Sequence, residues 1–180
     1  MTTCNNYYCD TCEKEVETEV REITEEFEVK DEKITATIKI RICKICGEEV
    51  WDEELEKQNE KIVYSMYRKK KGLLQPEEIK LIREKYHLSQ ALFARLLGFG
   101  EKTITRYERG ALQDMAHDLL IRLMDEEKNI KTAYEAHKTL FNEKEQQALD
   151  KILYKNMVLL PFPSGTSANK DKYTGKFNLA

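Results

Sequence analysis

Two Cys-x-x-Cys pairs, Cys9-Asp10-Thr11-Cys12 and Cys43-Lys44-Ile45-Cys46, stand thirty residues apart near the start of the chain. A pair on a tight knuckle aims both sulfurs at one point, and two such pairs give a tetrahedral four-sulfur zinc site. Gly47, directly after the second pair, suits that turn. A site with four protein ligands has no open position, so the metal is structural rather than catalytic. A thioredoxin-like redox pair would need a single Cys-x-x-Cys in a βαβ context, and the strands between these pairs read as a hairpin. Cys4 lies five residues before Cys9, a poor knuckle spacing, and is left out of the site. We therefore expect Cys9, Cys12, Cys43 and Cys46 to bind one zinc per chain.

Between the knuckles, Ile34, Ala36, Ile38, Ile40 and Ile42 alternate with Thr35, Thr37, Lys39 and Arg41. That period of two marks a strand with one buried face. Val16 through Val29 supplies a weaker partner, with Val16, Val20, Ile23, Phe27 and Val29 as its apolar members, and Lys30–Lys33 forms the turn. Two strands alone are marginal in water. Zinc is therefore expected to supply much of this module's folding energy, and chelation to unfold residues 1–50 while residues 73–125 stay helical.

Charge divides the chain. Residues 1–60 hold 18 Asp and Glu against 8 Lys and Arg, a net of −10; the remaining residues hold 15 against 22, a net of +7. The acidic front repels DNA and favours a basic partner, whereas the basic remainder can approach a phosphate backbone. No apolar run is long enough to span a membrane, and the start lacks the basic and apolar segments of a signal peptide. Five cysteines in this spacing suit a reducing compartment and a metal. The expected location is the cytoplasm.

Asp52 caps a connector helix with Glu53, Glu54 and Glu56 in its first turn and Arg68–Lys71 in its last, ended by Gly72. Its thin apolar stripe reads as Leu55, Ile62, Met66 and Tyr67, and the basic run is either a phosphate contact or a solvated helix end. Pro76 begins a helix over 77–86, with Ile79, Ile82 and Arg83 near one face. Ser89 is a good N-cap for a second helix whose apolar face is Ala91, Leu92, Ala94, Leu96 and Leu97. Gly98-Phe99-Gly100 breaks that helix, Glu101 opens a third, and Gly110 ends it. Ile104 and Tyr107 face inward, leaving Lys102, Thr103, Thr105, Arg106 and Arg109 outward. A small helix presenting Lys, Thr and Arg fits the DNA major groove. A fourth helix runs from Gln113 to about Glu126, with Leu119, Leu120, Leu123 and Met124 expected as its core face. His117 reads as a surface or capping residue, and His87 and His137 carry no paired motif. A fifth helix covers about 130–140. Asn142 and Glu145 form a capping box for a sixth, which reaches Tyr154 with Ala148, Leu149 and Ile152 on one face. These last two helices either pack on the domain before them or form a dimer seam.

Leu88-Ser89-Gln90 followed by Thr103-Ile104-Thr105-Arg106-Tyr107-Glu108-Arg109-Gly110 resembles the Cro/repressor-type helix-turn-helix. With the four cysteines and Glu78-Ile79…Arg83, residues 4–126 resemble the MqsA-type antitoxins, also described as YgiT-type zinc-finger proteins. The resemblance implies a structural zinc, an N-terminal module that binds and masks a protein toxin, and a helix-turn-helix that dimerises on a palindromic operator. It places Arg106 as the main base-reading residue, with Ser89, Gln90, Lys102, Thr103, Thr105 and Arg109 beside it on the double-stranded DNA. The segment after Glu126 departs from the family's usual ending. The expected fold is α+β and multi-domain: a zinc-bound β-hairpin module over 1–51, a helical connector over 52–72, an all-α repressor-like helix-turn-helix domain over 73–128, additional helices over 129–158 and a flexible tail over 159–180. The last residues turn apolar again, so the chain reads as a fragment or a shortened relative. No open metal ligand set, Ser/His/Asp arrangement or paired carboxylates point to an enzyme. The alternative reading is a stand-alone or phage-type regulator without a toxin.

Overall fold

The computed structural model describes residues 7–154. The expectations for Cys4 and for the tail beyond Tyr154 lie outside the described residues. The chain is mixed α+β, with small antiparallel sheets at its start and helices after them. Strands β1 (Tyr7–Cys9) and β2 (Lys14–Val16) pair in a short ribbon. Strands β3 (Thr18–Val29), β4 (Glu32–Cys43) and β5 (Glu49–Val50) form a second sheet in the order β3-β4-β5. The β3–β4 hairpin is in register from Thr18↔Cys43 to Val29↔Glu32, so it delivers Cys43 back to the base from which β3 left. Its turn is Lys30–Asp31, with Lys30 in the left-handed region. Val16 belongs to the ribbon rather than to the long strand, and Val20 lies exposed on the sheet's outer face.

Helix α1 (Glu53–Lys71) is packed against β4, rather than standing free as a connector. Asp52 caps it, accepting from the amides of Glu54 at 3.0 Å and Leu55 at 3.2 Å, and Arg41 of β4 pairs with the same carboxylate at 2.7 Å. Burial alone raises an acid's pKa, but these bonds outweigh it and hold the Asp52 carboxyl below its ordinary value. Its buried face is Leu55, Asn59, Val63 and Tyr67, a run of i,i+4 steps; Ile62 and Met66, expected to be buried, are exposed. The reason is Asn59, whose side chain donates to the Lys39 carbonyl and accepts from the Lys39 amide, at 2.8 and 3.0 Å, and so sets the helix rotation against β4. Val29, Ile34, Ala36, Ile38, Val63, Tyr67 and Leu73 form one apolar core between hairpin and helix.

The basic run at the end of α1 is largely used internally. Lys71 pairs with Asp31 and Glu32, and Lys70 with Glu32, which fastens the hairpin turn to the helix end. Arg68 is 2% exposed and donates to the carbonyls of Gly110 and Ala111 and to the Gln113 side chain.

Five helices follow: α2 (Pro76–Glu84), α3 (Gln90–Leu96), α4 (Thr103–Glu108), α5 (Met115–Leu123) and α6 (Glu127–His137). A 3₁₀ turn over Lys138–Leu140 leads to α7 (Glu143–Leu153). Ile79, Leu88, Phe93, Ala94, Leu96, Ile104 and Ile121 form the centre of a second core. Ile130, Tyr134, Phe141, Leu149 and Leu153 extend it, so α6 and α7 pack on the helices before them. Glu145 closes the expected capping box with Asn142 and also receives Arg95 at 2.8 Å, locking α7 to α3.

Helix α5 departs from expectation. Ile121, Met124 and Asp118 face the core, whereas Leu119, Leu120 and Leu123 face solvent. A buried polar set fixes this rotation. Asp118 accepts from the Leu74 amide at 2.7 Å and from Gln113, and Gln113 donates to the Leu74 carbonyl at 2.6 Å. Buried polar groups must be paired, and here that demand outweighs the apolar pattern.

Candidate metal centre and nucleic-acid interface

The two knuckles bring Cys9, Cys12, Cys43 and Cys46 together with all four sulfurs within 4.8 Å of one another. Cys9 Sγ lies 3.6 Å from Cys46 Sγ, and Cys12 Sγ 3.9 Å from Cys43 Sγ. A tetrahedron with zinc–sulfur bonds of about 2.3 Å has edges of about 3.8 Å, so the spacing fits zinc. It is far longer than the disulfide bond of about 2.05 Å. The second knuckle places the Cys46–Glu48 stretch by a bond from the Gly47 amide to the Cys43 carbonyl at 3.0 Å, with Gly47 at φ +78°. The Ile45 amide points at Cys43 Sγ at 3.3 Å.

The electrostatics ask for a cation. Backbone amides of Cys46 and Ile45 pull the Cys43 thiol down to about 6 against the opposing pull of desolvation. Hydrogen bonding from Cys46, together with desolvation, pushes Cys12 up to about 12. Cys43 is favoured as a thiolate and Cys12 as a thiol; a divalent metal bound here would supply the charge that ionises the sulfurs. Four sulfurs form a zinc site, closed and structural. Val16 and Val50 pack beside Cys9 and Cys43 in a small cluster of their own, separate from the core under α1.

The second candidate site is the turn between α3 and α4. Ser89 caps α3 through the Leu92 amide at 3.2 Å, as expected. Gly98 adopts φ +70° and closes the helix, and α4 begins at Thr103 rather than at Glu101. Phe99 in this turn stacks on His117 at 3.9 Å, and His117 meets the Tyr107 hydroxyl at 2.7 Å, so His117 props the turn against α5.

A buried ion pair holds α4 in place. Arg83 of α2 bonds Glu108 through two nitrogens, at 2.6 and 2.9 Å, and donates to the Leu88 carbonyl at 2.7 Å. Gln90 donates to Glu108 at 2.7 Å and accepts from the Thr105 hydroxyl at 2.7 Å. Gln90 and Thr105, expected as DNA contacts, thus bind each other between the two helices. Lys102, Arg106 and Arg109 are exposed, and Thr103 is half-buried beside Gly100. Arg106 and Arg109 open onto a cleft of about 690 Å³ that they share with Lys30, Lys57 and Lys61.

Sequence reasoning missed Arg68, Gln113 and Asp118, which join α1, the stretch after it and the end of α4. Arg68 read as part of the basic run and Gln113 as the start of the fourth helix, while Asp118 gave no local signal. Only the tertiary contacts reveal their burial. Among the described residues, no helix is long and apolar enough to cross a membrane.

The family model described as the antitoxin component of a bacterial toxin-antitoxin system, MqsA, matches residues 7–143. No curated protein matches the chain.

Proposed function

The chain belongs to the MqsA antitoxin family, and from that premise we propose that it represses transcription from its own promoter as a homodimer while its acidic N-terminal module binds and masks a toxin. The observation that carries the DNA-binding reading is the exposure of Lys102, Arg106 and Arg109 on a short helix whose other side is clamped by Arg83 and Glu108. A rigidly held helix with exposed cations is what insertion into a major groove requires. Arg106 is the proposed base reader, through the bidentate geometry that suits guanine. Lys102, Thr103 and Arg109 flank it, with Ser89, Gln90 and Thr105 contributing at the head of α3 or through one another. The cleft beside the arginines carries Lys30, Lys57 and Lys61 against Glu28 and Glu60, a net positive charge for neighbouring phosphates. Arg106→Ala is expected to cost about 1–3 kcal/mol of affinity for the promoter fragment at fixed salt. Unchanged affinity removes Arg106 from the reading set.

The exposed stripe on α5 supports the dimer. Met115, Leu119 and Leu123 follow one another at i,i+4 steps and are 73%, 58% and 43% exposed. Single exposed apolar residues are ordinary, but a stripe along a helix marks an interface. A two-fold dimer that reads a palindrome needs its two α4 helices about one DNA turn, roughly 34 Å, apart. Leu119→Glu is expected to give a monomer in sedimentation and to weaken promoter binding; a dimer that persists places the seam elsewhere. The charge of the front half, net −10 over residues 1–60, supports a basic toxin as the N-terminal partner. We assign the zinc module to 1–51, α1 to the same unit as its support, and DNA binding to 73–128.

A further inference from the structure

We propose that the free edge of β3, together with the groove between it and α1, receives a basic β-strand from the toxin; this rests on the antitoxin reading above and specifies its contact surface. Strand β3 is the edge of its sheet for twelve residues, paired with β4 on one side and with no strand on the other among the described residues. Half of its backbone amides and carbonyls therefore face outward, a ready template for another strand. Natural edges of this length are blunted by charged side chains, proline or a bulge, and here the blunting charge is almost all of one sign. This one has no proline and a single cation, Arg21, against Glu19, Glu22, Glu25, Glu26 and Glu28. Such an edge repels a second copy of itself and attracts a strand of opposite charge, which decides between those two occupants.

The groove beside the edge favours the same occupant. Helix α1 lies over β4 more than over β3, so Ile23 and Phe27 on β3 remain half-buried. Between strand and helix opens a groove of about 260 Å³, floored by Phe27, Ile38 and Val63 and rimmed by Glu28, Glu56 and Glu60. No lysine or arginine is among its lining residues; Glu28 and Glu60 stand on the divide between it and the cleft that holds Lys30, Lys57 and Lys61, and Glu56 lines only the groove. A strand added to β3 continues the sheet's alternation, so every second side chain points to the α1 side. One apolar side chain of that strand fills the groove, and its basic neighbours meet the glutamate rim. Main-chain pairing gives affinity and the groove gives selectivity.

The test uses the full zinc-loaded chain and the purified product of the toxin gene adjacent to its own. Hydrogen exchange is compared for the chain alone and in the complex. Amides of β3 that exchange freely in the unbound chain are expected to slow at least about tenfold on binding. The double variant Glu56→Lys with Glu60→Lys, both on the solvent side of α1, is expected to raise Kd about tenfold at low ionic strength and less at high salt. Its zinc content and melting curve show that the fold is kept. A complex in which β3 exchange is unchanged, or in which the double variant binds as tightly as wild type, overturns the proposal while leaving the antitoxin reading intact. A gene product that ignores the wild-type chain removes that reading, and this surface with it.

Discussion

Cys43→Ser is expected to abolish tight zinc binding and to release the β1–β2 ribbon and β5, while the β3–β4 hairpin stays folded on α1. Structural zinc contributes roughly 10–16 kcal/mol of apparent binding free energy in small zinc modules at neutral pH, so loss of one of four sulfurs is expected to have a large effect on this module. The loss is local because the apolar groups divide. Cys9, Val16, Cys43 and Val50 cluster at the metal, whereas Ile34, Ala36, Ile38, Val63 and Tyr67 belong to a separate core, which Asn59 and the Asp31–Lys71 pair also hold in place.

 The hairpin core is thus held by apolar packing and by polar ties from Asn59, Lys70, Lys71 and Asp52, and no sulfur takes part in either. Circular dichroism and zinc stoichiometry read the two halves separately. Retention of one zinc per chain by the variant, or collapse of the whole β signal, contradicts this division.

That outcome differs from what the chain's pattern alone suggests, and the difference shows where sequence reasoning stops. The knuckles, the alternation of Ile34 through Ile42, the caps at Asp52, Ser89 and Asn142, and the glycine turns are local features, and each is legible because its cause lies within a few residues. Rotation of a helix about its axis is not local. The α1 stripe is displaced from Ile62 and Met66 to Asn59 and Val63 by the bond between Asn59 and Lys39. The α5 stripe is turned outward because Gln113 and Asp118 pair with Leu74. In both cases a polar side chain with a distant partner decides which apolar residues are buried, and no periodicity reveals that partner. At the candidate interface, too, a long-range partner stays hidden in the pattern: Gln90 and Thr105, fifteen residues apart, bind each other.

Glu108→Ala carries the second large effect. It takes from Arg83, which is buried and donates through two nitrogens to that carboxylate, its buried counter-charge, and leaves only the half-exposed Glu84 at 3.4 Å. Breaking a buried pair by removing one partner costs about 3–5 kcal/mol, because the remaining charge stays desolvated. Gln90 loses its acceptor in the same step, so the joint between α3 and α4 loosens as well. The helical melting transition is expected to fall by more than about 10 °C. Glu108→Gln, which keeps the hydrogen-bond acceptor and removes only the charge, is expected to fall by less. Equal melting temperatures for wild type and Glu108→Ala contradict the assignment of this pair as the clamp on α4.

The proposed repressor role requires that the helix held by that clamp read a DNA sequence. The most direct measurement is a fluorescence-anisotropy titration of the zinc-loaded chain against its own promoter fragment and against a scrambled duplex of equal length, at one fixed ionic strength. The promoter fragment is expected to bind at least about a thousandfold more tightly, the lower end of the range for specific binding. Equal affinity for the two duplexes, or no binding to either at low salt, contradicts the account.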